Sequence, residues 1–365
     1  MPDSSVTSRN VSTYTAMPTV KVDAQSNQTV NSQLLAMQMS EREGGLTSME
    51  LRFSNFGTFS DGTAKLVFED NAVLKLGAQL EVFAGDQTSP TSIFKGTISG
   101  LEGVYSPDDP PELTVLAEDG LFKAKMSRRS AVYDNVSPAD LVTKIAQKNG
   151  LTAQVSGLTG NAGRQVQHNE SDLAFLRRVL ARYDADLQVV GTQIQAGERS
   201  SIQRNQVEMT LGETLKRARV LADLSHQVTK IEYAGWNYQQ GQDINASSSA
   251  AAPGPGSGST GPQILPDALG DRAEQLAQMS VSDSSEAQAV VDAEWRQRCR
   301  KFVTLHGTSE GNAELRVGTH LKVKGLGPRF SNTYYVVATT HRFDQHKGYE
   351  TDFIAECSYL GGGAA

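Results

Sequence analysis

The sequence is short of cysteine, of long apolar runs and of any basic charge excess. Its only cysteines are Cys299 and Cys357. They stand far apart and form no CxxC pair, which argues against a disulfide scaffold and leaves two free thiols in a reducing compartment. No stretch reaches the ~18 apolar residues of a membrane helix. The polar start "MPDSSVTSRNVSTYT" lacks a secretory apolar segment, so synthesis and folding in the cytosol are expected. Lys and Arg total 34 against 41 Asp and Glu, a net charge of −7. A protein built to coat nucleic acid would carry the opposite balance.

Catalytic signatures are missing as well. No GxSxG, Gly-rich phosphate loop, HExxH or Cys/His pair of known spacing occurs. His341 and His346 in "THRFDQH", with His320 before them, fit none of the usual zinc intervals and read as surface or interface histidines. Asp108 and Asp109 lie among prolines, where turn chemistry accounts for them and no acid is placed opposite. Arg128, Arg129, Arg177, Arg178 and Arg182 read as solvated helix faces, with an electrostatic seam against an acidic neighbour as the second reading. Trp236 and Trp295 read as core or subunit-interface anchors. No catalytic, cofactor-binding or metal residue is assigned, and no cofactor is expected.

What is present is mostly strand. From Val20 to Leu121 apolar residues alternate, as at Met49, Leu51 and Phe53, the period of a half-buried strand. Gly44-Gly45, Asp61-Gly62, Gly85-Asp86 and the run Pro107–Pro111 supply turns. The pattern turns helical at "SPADLVTKIAQKNG", with Ser137 as N-cap, Pro138 in the first turn and Asn149-Gly150 as a stop. "HNESDLAFLRRVLARYDADLQVV" predicts a second helix capped by Ser171 or Asn169. Its apolar stripe is Leu173, Leu176, Val179, Leu180 and Tyr183, and a strand follows. After "IEYAGWN" the text becomes rich in Ser, Ala, Gly and Pro over 245–266, read as a flexible surface excursion. A third helix capped at Ser284 or Ser285 follows, and strand character returns from Lys301 to Leu360.

Two β stretches repeat. "AVLKLGAQLEV" (72–82) aligns with "AELRVGTHLKV" (313–323) at a constant offset of 241 (313 − 72). "LTVLAE" (113–118) parallels "TDFIAE" (351–356), Phe94 is set against Phe330, and "LRFSNF" (51–56) is set against "IEYAGW" (231–236). The ordered series predicts two copies of one β-domain, the second interrupted. The shared Gly suits a positive-φ turn before a strand. The fold class expected is mainly β with an α/β insert: two related antiparallel β-barrels, the second interrupted, plus a small α/β domain. The expected division is 1–19 an N-terminal arm, 20–129 the first barrel and 130–205 the α/β domain. The second barrel takes 206–244 and 301–365, around the excursion and helix of 245–300.

"NESDLAFLRRVLARYDADLQVV", "LADLSHQVTKIEYAGWN" and "YYVVATTHRFDQHKGYETDFIAE" resemble segments of phage late control D proteins. These are baseplate hub proteins of contractile tails, similar to the N-terminal hub part of VgrG. The resemblance runs from Val20 to Leu360. It implies a non-enzymatic structural protein of a phage tail, tailocin or other contractile injection particle. That protein would be a homotrimer whose pseudo-sixfold ring joins a hexameric tail tube to a trimeric spike. Because the sequence stops at "YLGGGAA" without an OB-fold or β-helix, the spike is expected to be a separate polypeptide. Baseplate wedge and tape-measure proteins are further expected partners; nucleic-acid binding and membrane insertion are not expected. Assembly would take place in the bacterial cytoplasm. The rivals are a tail-associated cell-wall hydrolase and a monomeric two-barrel glycan-binding module.

Overall fold

The computed structural model describes residues 17–58, 63–84, 90–238, 240–250, 254–277 and 281–362. Most of the N-terminal arm, the turns at Asp61-Gly62 and Gly85-Asp86, and Ala251–Pro253 lie outside the described residues.

The first β block holds β1 (Thr19–Val22), β2 (Leu34–Arg42), β3 (Ser48–Ser54), β4 (Gln79–Ala84), β5 (Thr91–Val104) and β6 (Glu112–Glu118). Alternation fixes their faces: in β3, Met49, Leu51 and Phe53 are buried while Ser48, Glu50 and Arg52 point outward. The inward residues of all six strands share one core, from Val20 and Met39 to Leu80, Ile98 and Val115. The half-sheet therefore wraps around its own apolar filling, as burial of one strand face demands.

The α/β unit follows. It comprises β7 (Arg128–Tyr133), α1 (Pro138–Lys148), β8 (Thr152–Ser156), β9 (Gln165–Ser171), α2 (Asp172–Ala181), β10 (Ala185–Val190) and β11 (Gln193–Glu198). Strand β7 crosses the expected boundary at 129/130 and pairs with β9. The helix signals hold: Ser137 and Asp140 form a reciprocal capping box, and Ser171 accepts from the Ala174 amide at 3.2 Å. Ser171 rather than Asn169 is the cap. All five residues of the foreseen stripe are buried, together with Phe175.

The second block begins with β12 (Asn205–Thr210) and β13 (Leu215–Ala222). The chain then leaves it for a satellite of β14 (Lys230–Asn237), β15 (Gln242–Ser248), α3 (Gly261–Leu269), β16 (Ala273–Leu276) and α4 (Ser284–Arg300). It returns as β17 (Val303–Glu310), β18 (Thr319–Lys324), β19 (Asn332–Asp344) and β20 (Gly348–Cys357).

Three expectations are corrected here. The described part of the Ser/Pro-rich segment is not an unstructured excursion. Asn245–Ser248 completes β15, and Thr260 with Gln263 forms a capping box that starts α3. Helix α4 is capped by Asp283, not Ser284 or Ser285. "IEYAGW" lies on β14, which pairs with β15 and β16 and packs under α4 in a separate core around Ile231, Val291 and Trp295. It is no counterpart of 51–56.

The two blocks are joined edge to edge. One thirteen-stranded sheet runs β13-β17-β20-β19-β2-β3-β6-β5-β4-β1 and ends at the short strand Gln25–Ser26, with β12 and β18 branching from β19. The joint is the antiparallel ladder from Ala338↔Arg42 to Asp344↔Ala36.

The repeat is real at the level of single hydrogen bonds. Gly77 and Gly318 have φ +86° and +87°. The Gly77 amide donates to Ile98 O and the Gly318 amide to Val336 O, both at 2.9 Å. Directly after those acceptors both blocks have a β-bulge, at Ile98/Gly100 and at Val336/Ala338. A second matched pair of bulges lies at Leu34/Ala36 and Leu215/Arg217. These pairs give offsets of 238 (336 − 98) and 181 (215 − 34). "LTVLAE" and "TDFIAE" then coincide, because Ile98↔Ala117 corresponds to Val336↔Ala355. Phe94 corresponds to Asn332 rather than Phe330, since each faces the matching valine, Val82 or Val323. The counterpart of β3 is β17, which runs beside β20 as β3 runs beside β6.

Candidate functional site

Two clusters of buried charge lie where units of the molecule meet. At the joint between blocks, Glu41 continues the inward series Met37, Met39 on β2 and is buried. Arg316 grips it bidentately at 2.8 and 2.9 Å, and the Val317 amide adds a third bond at 3.1 Å. Burial alone would raise the Glu41 pKa, but Arg316 and the Val317 amide hold the carboxyl below its ordinary range. Beside it His341 is fully buried, with Nδ1 2.7 Å from Tyr349 Oη. Burial, reinforced by the Arg316 charge, pushes its pKa down to about 3, so the imidazole is neutral.

A second cluster ties four parts of the chain together. Arg199 pairs with Asp184 at 2.5 Å and with Glu43; Arg300 pairs with Asp184 at 3.2 Å and with Glu356. Three carboxylates thus share two guanidiniums in a largely buried space. Burial outweighs the attraction of Arg199 and Arg300, and Glu43 rises to about 7.

On the outer face of the second block lies a groove of about 420 Å³ lined by Arg42, Arg217, Arg219, His306, Thr340 and Asp352, among others. Its one carboxylate, Asp352, is held by Arg342 at 2.7 Å and by Thr308 at 2.8 Å. The cationic lining suits an acidic side chain or backbone.

The structure does not gather the residues singled out by sequence. His320 faces the Ile202 carbonyl at 3.1 Å, His341 is in the joint, and His346 lies in the exposed β19–β20 turn. Among the described residues no group of three or more His, Cys, Asp or Glu side chains is placed to hold a metal ion. Asp108 and Asp109 sit in an exposed turn, where the Asp108 amide donates to Ser106 Oγ. Four of the five arginines are engaged by partners of their own. Arg177 donates to the carbonyls of Gly44 and Gly45, Arg178 pairs with Glu170, Arg182 with Glu286 and Arg129 with Asp172, while Arg128 is exposed. Trp295 is a core anchor whose indole N–H donates to Ala250 O at 3.0 Å; Trp236 is half-exposed. Cys299 and Cys357 are free and buried, each thiol pushed up to about 12 by burial.

Sequence reading missed Glu41, Glu43, Arg199, Arg300 and Glu356. The available signal was a charge at an inward position of a period-two strand, as at Glu41.

The family model of the Alg8 N-terminal domain matches residues 15–345. The chain belongs to this family. No curated protein sequence matches it. Among solved structures, the 43 kDa tail protein of prophage MuSo2 from Shewanella oneidensis aligns with a TM-score of 0.66 over 94% of this chain and 98% of its own, at 14% identity. A tail protein from Neisseria meningitidis gives 0.64 over 93% and 96%, at 11% identity. A type VI secretion component of E. coli, described as similar to phage T4 tail proteins gp27 and gp5, gives 0.59 over 95% and 79%, at 15% identity. This family member therefore has the mainly β fold of phage-tail and type VI secretion proteins, in line with the resemblance to baseplate hubs. No helix among its described residues is long and apolar enough to cross a membrane.

Proposed function

We propose that the chain is a non-enzymatic hub subunit of a contractile phage tail or tail-like injection particle. Three copies form a ring of six similar blocks that joins a sixfold tube to a threefold spike. The observation that carries this reading is the backbone repeat. Two blocks with the same positive-φ glycine turn, the same bulges and the same ladder order let a threefold assembly present six near-equivalent faces. The use of charged residues as ties between units supports a mechanical role. The division of the chain into arm, two blocks, α/β spacer and satellite, with the bounds of the strands and helices described for the fold, belongs to the same proposal.

Light scattering tests it. The expected mass is three times the 39.3 kDa chain, reached alone or on co-expression with tube and spike proteins. A monomer under all of those conditions would overturn the ring. Clearing of peptidoglycan by the purified chain in zymography would defeat the non-enzymatic reading.

A further inference from the structure

Resting on the ring reading, we infer that neighbouring copies are stitched together by a strand ladder that repeats, between chains, the joint already present inside each chain. The intrachain joint uses the second half of β19 and the outer edge of β2. By the offset of 238 the counterpart of Ala338–Asp344 is 100–106, and by the offset of 181 the counterpart of 36–42 is 217–223.

Both counterparts are unoccupied edges. The first half of β5 pairs with β4, whereas Gly100–Val104 pairs only with β6 among the described strands. Strand β13 pairs with β17 and ends the sheet on its other side. The open edge of one copy is thus the shape that the closed joint fills with the other block.

The exposed apolar side chains fall where this ladder needs them. Val317 and Phe343, buried in the intrachain joint, are 1% and 5% exposed; their counterparts Leu76 and Tyr105 are 63% and 65% exposed. Val104 and Leu221, on the two free edges, are 46% and 55% exposed. Large apolar residues at matched positions, buried in one block and bare in the other, mark a surface that is covered on assembly.

The register follows from the template, in which Thr340 faces Ser40 and His341 faces Met39. Between copies Glu102 faces Leu221, Gly103 faces Val220 and Val104 faces Arg219. Tyr105 then enters the core of the neighbour's second block beside Ala218, as Phe343 enters the first-block core. Glu102 comes diagonally opposite Arg219, one of the cations of the outer groove, so the charges agree. The strand glycines Gly100 and Gly103 leave room for close backbone approach. The Glu41–Arg316 pair is not repeated, because Ala222 and Lys75 stand in its place. The interchain ladder is therefore apolar where the intrachain one is ionic.

The test is a double substitution in the full chain, Glu102→Cys with Leu221→Cys. Directly opposed side chains bring their β-carbons to about 4.5–5.5 Å, so mild oxidation is expected to yield a covalent trimer as the main species. Either single substitution should stay at monomer size on a denaturing gel. Glu102→Cys with Arg217→Cys, displaced by about 13 Å along the strand, should not cross-link. Equal cross-linking by that displaced pair would overturn the register. A trimer by light scattering that fails to cross-link would overturn the ladder and leave the ring standing. A monomer in every condition would remove both.

Discussion

The first block and the second share a frame but not its contents. In the first, β1 runs antiparallel to β4 (Val20↔Val82); in the second, β12 runs parallel to β18 (Val207↔Leu321). The β2–β3 connection is a short turn, whereas its counterpart between β13 and β17 carries the whole satellite. What the blocks keep is the glycine turn, the bulges and the register. These features determine where each edge can be paired, while side chains are free to diverge. The divergence is not random. Leu51 opposite Val115 in one block becomes Gly307 opposite Phe353 in the other, so the bulk moves across the ladder and the core stays filled. The ion pair Glu41–Arg316 is confined to the joint within the chain.

Four experiments bear on that contrast, in descending order of expected effect. Met49→Ala and Leu305→Ala truncate matched core positions, and each should cost about 2–5 kcal/mol. Because one sheet runs through both cores, both variants should lower a single shared thermal transition; two separate transitions would show that the blocks unfold independently. Next, Glu41→Ala leaves Arg316 without its partner and should cost about 3 kcal/mol, the lower end for a broken buried pair, since Arg316 keeps 25% of its side chain exposed. The matched Lys75→Ala should fall within about 0.5 kcal/mol, both measured by urea denaturation.

The repeated glycines provide a third comparison. Gly77→Ala meets open space and carries only the backbone penalty of about 1–2 kcal/mol. Gly318→Ala should cost more, because its β-carbon would lie 2.6 Å from Arg204 Nη1 and disturb the Arg204–Asp186 pair. Equal losses would mean that Arg204 moves aside freely.

The smallest effect is in pH. His341 is held at about 3 in the folded chain against an ordinary 6.5, so its contribution is present above 6.5 and is lost as pH falls toward 3. Glu43 is raised to about 7 from 4.5, so its contribution is present below 4.5 and is lost as pH rises to 7. Between 4.5 and 6.5 the two oppose one another. His341→Gln should therefore unmask stability that climbs as pH drops from 7 to 5, read from the urea midpoint; an unchanged profile would remove His341 as the compensating group.

Much of the fold was legible because it is written in local rules. The capping box at Ser137 and Asp140, the stripe of α2, the alternation in β3 and the glycine of the repeat each depend on a few neighbouring residues. "LTVLAE" against "TDFIAE" survived because both strands turn the same positions inward, Val115 and Ala117 in one and Phe353 and Ala355 in the other. The match of 51–56 to 231–236 failed because aromatic spacing alone carries no register, and the true counterpart had exchanged Leu51 for Gly307. Composition misled at 254–269, where Thr260 and Gln263 cap a helix inside a stretch dominated by Ser, Gly and Pro. The buried charges were illegible for a different reason. Glu43, Arg199, Arg300 and Glu356 meet only in three dimensions, and nothing in their spacing announces it.

Between the blocks, β2 and β19 lie flank to flank over seven paired positions, from Ala338↔Arg42 to Asp344↔Ala36. Tension directed along such strands loads every rung of the ladder together, whereas tension across them would unzip one rung after another. The joint between the blocks therefore resists a pull along its strands more than a pull across them.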